Sequence, residues 1–195
     1  MRFTTLVIAA LITVFLIGCG GTKPPTIHPD ASSQTQGNIP EWYLDTSEDT
    51  NFLFAVGNGV SQDMDLAEDK AIQTATNRIA GQLEKKFNGY IKGMKEEAGS
   101  PENAQLVSTF TKATKGVVST VLSGVTTHKK AIQREGNLWR VYVKMKMAKG
   151  ASEQAMLNKM KQQEAMFARF RETQVMGEME KEIEKFENYK KEQGQ

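Results

Sequence analysis

Apolar residues recur along this chain at more than one spacing, and each change of spacing marks an element. Near the start of the patterned region, Trp42, Tyr43 and Leu44 form a cluster behind Pro40, whose ring biases its neighbour toward extended backbone. Phe52 to Val56 is a continuous apolar run closed by Gly57 and Gly59, which suits a short strand covered on both faces. Asp63 and Asp65 then open a long stretch in which Ile72, Ala75, Ile79, Leu83, Phe87, Tyr90 and Met94 step by three or four. That is the stripe of an amphipathic helix, with Asp63 as its N-cap and Gly89 or Gly93 as the place where it would bend or stop. Ser100-Pro101-Glu102 reads as a second helix start, and Leu106, Phe110, Ala113, Val117 and Val121 carry its inner stripe.

From Val125 the period shortens to two. Gly136-Asn137 lies between two strand-like arms, the signal of a hairpin. In the second arm Trp139, Val141, Val143, Met145 and Met147 point one way, and Arg140, Tyr142, Lys144 and Lys146 the other. One face is therefore expected in the core and one in water. The order is β-α-α-β-β, an α+β domain with a small antiparallel sheet and helices packed on one face.

After Lys149 there is no proline, and Met156, Met160, Phe167, Phe170, Met176, Met179, Ile183 and Phe186 form an apolar stripe with one slip in phase. Glu178/Lys181, Glu182/Lys185 and Glu187/Lys190 support the opposite face at i,i+3. The pattern predicts a long amphipathic C-terminal helix over 150–195, about 40 residues and roughly 60 Å if unbroken. Such a helix is too long to pack wholly on so small a sheet. Met160, Phe167, Phe170, Met179, Ile183 and Phe186 are its candidate interface, and folding back onto the domain or coiling with a second chain both remain open.

The first residues follow another pattern. Arg2 supplies a positive start, and Leu6 to Gly18 is an uncharged, mostly apolar run with the length of a signal-peptide core rather than a spanning helix. It ends in Leu16-Ile17-Gly18-Cys19, which resembles the lipobox of bacterial lipoproteins. The resemblance implies that residues 1–18 are a signal peptide, cut before Cys19, and that the Cys19 thiol and the new amino terminus carry lipid. Gly20, where enteric lipoproteins kept at the inner membrane carry Asp, implies sorting to the outer membrane. Residues 19–38 are rich in Pro, Gly, Ser, Thr and Gln and nearly free of apolar side chains, so they read as a linker. As a coil its ends would lie about 25 Å apart.

Composition narrows the chemistry further. The formal net charge is +2, and losing Arg2 leaves 24 basic against 23 acidic residues, so neither a dedicated nucleic-acid binder nor an acidic tail is indicated. One cysteine excludes an internal disulfide or a multi-thiolate zinc site, and two histidines leave few metal constellations, so no metal or cofactor is expected. Gly57-Asn58-Gly59 before a helix imitates a dinucleotide loop, but Gln62 stands where the third glycine belongs. A tight strand-to-helix turn is the plainer account. His28 lies in the linker without a partner ligand, and His128 stands beside Lys129 and Lys130 with no nucleophile constellation around it. Arg140, Lys144 and Lys146 make a basic row that could meet an anionic polymer or another subunit, against the simpler reading of a solvated face.

The Cys19 lipobox, the Pro40-Glu41-Trp42-Tyr43 start, the Phe54-to-Val60 strand and glycines, the alanine-bearing helix and the closing Asn137-to-Met147 strand together resemble the LPP-twenty lipoprotein family over residues 39–149. The resemblance implies a non-enzymatic role at the cell envelope, either in structures around the flagellar motor or as a surface antigen. The expectation is an outer-membrane lipoprotein acting as a structural or assembly subunit, with the flagellum as a candidate location, and meeting a second copy or an envelope partner through its C-terminal helix. The alternative is an envelope module that binds peptidoglycan or regulates a periplasmic synthase.

Overall fold

The computed structural model describes residues 39–45, 49–97 and 101–192. Helix α1 (Glu41–Leu44) precedes strand β1 (Phe52–Ser61), and two long helices follow, α2 (Met64–Glu97) and α3 (Pro101–Leu122). Strands β2 (Thr126–Glu135) and β3 (Leu138–Ala148) come next, then helices α4 (Lys149–Lys161), α5 (Glu164–Phe170) and α6 (Gln174–Glu192). The three strands form one antiparallel sheet in the order β1-β3-β2. This is the expected α+β class, with the β-α-α-β-β order and a long C-terminal helix.

The hairpin between β2 and β3 turns at Gly136, whose φ of 62° is the positive value that a tight hairpin turn asks of its first central residue. On β3 Val141, Val143, Met145 and Met147 are buried toward the helices as expected, and Trp139 of the same row is half-buried. Asp63 caps α2, its Oδ1 accepting from Leu66 N–H at 2.8 Å. The stripe from Ala75 to Met94 is buried, as is the α3 stripe from Leu106 to Val121. Helix α2 passes through Gly89 and Gly93 without stopping, because tertiary packing outweighs the modest cost of glycine in a helix.

Gly57 and Gly59 do not form a turn. They lie inside β1, opposite Val143 and Val141 of β3. A Cβ on Gly57 would overlap the Ala71 carbonyl and stand 2.7 Å from the Ala75 backbone nitrogen, and one on Gly59 would overlap the Ala67 carbonyl. Ala67, Ala71 and Ala75 are fully buried. One backbone therefore lies directly on the other, with glycine on the strand and alanine on the helix. The space a nucleotide would need in a glycine-rich loop is filled by α2.

This close approach also brings α2 alongside the outer edge of β1. Arg78 Nη1 donates to the Val56 carbonyl at 2.8 Å, Gln82 Nε2 to Phe54 at 3.0 Å and Lys70 Nζ to Val60 at 3.3 Å. Four helical residues advance about 6.0 Å and two strand residues about 6.6 Å, so side chains at i,i+4 keep step with alternate carbonyls. Edge acceptors that would otherwise need water or another strand are satisfied from within the chain.

The segment from Lys149 departs from the single unbroken helix expected. It forms three helices, with breaks at Gln162–Gln163 and at Arg171–Thr173. Gln163 takes φ −126° and ψ 80°, outside the helical region. Thr173 caps α6, its Oγ1 accepting from Met176 N–H at 3.2 Å. The breaks let the chain fold back, α6 against α4, so that both parts of the stripe reach one core. Phe170 is fully buried, 5.5 Å from the Phe110 ring of α3.

Candidate functional site

The basic row on β3 is built by alternation, and α1 then covers its middle. The Tyr43 ring meets Tyr142 edge-on at 4.9 Å. Tyr142 is left 4% exposed and Lys144 6%, so the face expected to be wet is largely dry at its centre. A residue pattern within one strand cannot report that a short segment a hundred residues away will lie over it. Burial raises the Tyr142 hydroxyl above its ordinary pKa.

Each cation of the row has a partner inside the chain. Lys144 Nζ is 3.2 Å from Asp45 Oδ2 and 5.0 Å from the centre of the Phe54 ring. Arg140 Nε donates to Glu135 Oε1 at 2.6 Å, which holds the guanidinium above its ordinary value. Lys146 Nζ stands 5.2 Å over the Phe52 ring and is half-buried. His128 packs on Phe54 with ring centres 5.1 Å apart. Burial, and next the Lys146 charge, lower its pKa, so the ring favours the neutral form. Arg140, Lys144 and Lys146 are thus brought together on one face, but as parts of an aromatic and ionic cover, not as an open anion row.

Of the two arrangements open for the C-terminal stripe, folding back on the domain is the one observed. Met160, Phe170, Met179 and Ile183 are buried within the chain, and Phe167 and Phe186 are half-buried. The fold-back covers most of the stripe with the chain's own helices. Cys19 and His28, with the signal segment 1–18 and the linker 19–38, lie outside the described residues.

One cluster was missed by sequence reasoning. Glu153 of α4 is fully buried, ion-paired to Lys86 of α2. It accepts from Ser152 Oγ at 2.7 Å and from Tyr90 Oη at 3.4 Å. Lys86 also lies 3.9 Å from Glu182 of α6, which Lys185 holds at 2.9 Å. Burial, and next the Glu153 charge, push the Tyr90 hydroxyl far above its ordinary range. Burial would also raise Glu182, yet the hydrogen bond from Lys185 and the Lys86 charge outweigh it and hold the carboxyl low. Glu153 shares its helical phase with Met156, Leu157 and Met160, and a charge on an apolar stripe was the available signal.

Chemically the cluster is a counter-charged joint between α2, α4 and α6. Ser152 is fully buried, so its hydroxyl has no approach for a substrate. A cleft of about 450 Å³ beside it is lined by Lys86, Lys149, Lys181 and Lys185 with Glu178 and Glu182, a mixed-sign wall. Among the described residues no group of three or more His, Cys, Asp or Glu could hold a metal ion, and no helix is long and apolar enough to cross a membrane. Comparison of the chain with protein-family models, with curated proteins and with solved structures found no match to any of them.

Proposed function

We propose that this chain is a lipid-anchored, non-enzymatic subunit of the bacterial outer membrane, with a structural or assembly role. The observation that carries the proposal is the Leu16-Ile17-Gly18-Cys19 motif, placed after an uncharged run of signal-peptide length and before a linker. Dual acylation makes such a tether stable, since each buried methylene contributes about 0.8 kcal/mol. The domain behind the linker supports the reading. Its candidate chemical residues, the paired glycines, the basic row and the buried Glu153, are all engaged in holding its own elements together.

The test is metabolic labelling with radioactive palmitate and membrane fractionation of the wild type and Cys19→Ala. Label in the wild-type outer membrane, lost together with outer-membrane residence in Cys19→Ala, is the expected result. An unlabelled wild type, or a Cys19→Ala protein that stays in the outer membrane, ends the proposal. Association with the flagellum is its finer part and is read from swimming of a deletion strain complemented with each form. The glycan-binding alternative requires a free basic row, and the partners of Arg140 and Lys144 weigh against it. Retention on purified sacculi at low salt would restore it.

A further inference from the structure

The two breaks in the C-terminal segment are built differently. At Arg171–Thr173 the corner is fastened. Thr173 Oγ1 donates to the Phe170 carbonyl at 2.7 Å and accepts from Met176 N–H at 3.2 Å, and Glu97 Oε2 of α2 accepts from Gln174 N–H at 3.2 Å. The apolar stripe also slips in phase there, between Phe170 and Met176. At Gln162–Gln163 the chain is held less. Gln163 precedes α5 without a side-chain cap hydrogen bond, and residues 161–165 are all exposed. Gln162 still lies in the right-handed helical region at φ −69° and ψ −7°, so the break rests on Gln163. Residues 159–168 contain no glycine, proline or β-branched side chain, and Met160 and Phe167 would share one face of a continuous helix. The local preference at this break is therefore for helix, and it is the docking of α5 and α6 that bends it.

That docking does not require arm and body to belong to one chain. The arm, residues 164–192, meets the body through Phe170 against Phe110 of α3, Val175 beside Gly93 of α2, and Glu182 beside Lys86 of α2, with Met179 and Ile183 in the shared core. We propose that the chain exchanges this arm with a second copy. Gln163 turns helical, α4 and α5 join into one helix over 149–170, and α6 of each copy docks on the body of the other across a two-fold axis. The joined helix extends about 13 Å past Lys161 and carries α6 off its own body. In it the Glu164 and Ala165 N–H groups find the carbonyls of Met160 and Lys161, four residues back. The surface shared by the pair is a piece of domain core, and a second copy carries the arm that matches it. The closed chain and the exchanged pair make the same arm contacts and differ at the hinge, so concentration decides between them. A membrane adds to this on the anchored-subunit reading, since a tether raises the effective concentration, but the exchange itself does not need the lipid.

The test uses full-length chain with Cys19→Ala, Gly93→Cys and Val175→Cys, because a Cβ at Gly93 lies 3.5 Å from Val175 Cγ2, within the reach of a disulfide. The protein is refolded from urea at high concentration, oxidised gently and separated by size with light scattering. The two-chain fraction is expected to run as a covalent dimer on a denaturing gel without reductant, and the one-chain fraction as an internally linked monomer. In the Cys19→Ala chain without added cysteines, Gln163→Ala is expected to favour the pair over Gln163→Gly by about 5-fold at each hinge and about 30-fold for the two together. The same substitutions at Glu172 are expected to leave the proportion unchanged, because both forms keep that corner. The absence of any two-chain fraction, a two-chain fraction whose disulfides are all internal, or a proportion indifferent to residue 163 each overturns the exchange. Palmitate labelling decides anchoring separately, so either reading can fail alone.

Discussion

The contact between Gly57 and α2 gives the sharpest test of how the fold is held. In Gly57→Ala the new methyl meets backbone, the Ala71 carbonyl and the Ala75 nitrogen, with the Ala75 methyl at 3.0 Å. No rotamer change relieves a clash with backbone, so α2 must lift from β1 by about 1 Å, and overpacking of this kind costs about 1–3 kcal/mol. Lifting also stretches the hydrogen bonds from Arg78 to Val56 and from Gln82 to Phe54, at about 1 kcal/mol each. The sum is about 3–5 kcal/mol, or a fall in Tm of about 10–15 °C for a domain of this size. Gly81 supplies the opposite sign. It is exposed in the middle of α2 with nothing within 4 Å of an added methyl, so Gly81→Ala should gain about 0.5–1 kcal/mol from helix propensity. Thermal and urea melts followed by circular dichroism read both. A Gly57→Ala protein that melts within about 2 °C of the wild type would refute backbone contact as the reason for glycine there.

Three further outcomes are expected. Phe170→Ala empties a fully buried site against Phe110 and should cost about 3–5 kcal/mol in urea, with early proteolysis after Lys161 showing that α5 and α6 have come loose. Lys86→Met leaves Glu153 buried without its counter-ion and should cost about 3 kcal/mol at neutral pH, whereas Lys92→Met, removing an exposed i,i+4 pair with Glu96, should change stability by less than about 0.5 kcal/mol. His128 has a folded-state pKa below its ordinary 6.5, so its neutral form is favoured by folding, and stability falls as pH drops from 6.5 through the folded value. Proton NMR should show Lys146→Ala moving this titration upward and shrinking the acid-side loss; an unmoved His128 resonance would count against the Lys146 field.

What the sequence discloses and what it hides divide along physical lines. The α3 stripe, the alternation on β3 and the Gly136 turn were legible because each is a local periodicity or a local backbone demand. The role of Gly57 and Gly59 was not, because glycine in a strand looks like punctuation until the alanines at 67, 71 and 75 are seen to lie across it. That complementarity joins two periods, two in the strand and four in the helix, and neither element shows it alone. The breaks in the C-terminal segment use Gln and Thr rather than proline; the slip in phase between Phe170 and Met176 marked the second, and the in-phase step of seven from Met160 to Phe167 left the first unmarked. Burial of Lys144 depended on α1 landing on its face, and that of Glu153 on three helices meeting; both are long-range facts.

The row Lys70, Arg78 and Gln82 on the β1 carbonyls has a consequence for stoichiometry. A sheet with two open edges can add strands without end, and its product is a fibre. With the Phe54, Val56 and Val60 carbonyls taken by its own helix, β1 offers an incoming strand few acceptors, and addition at that edge is disfavoured.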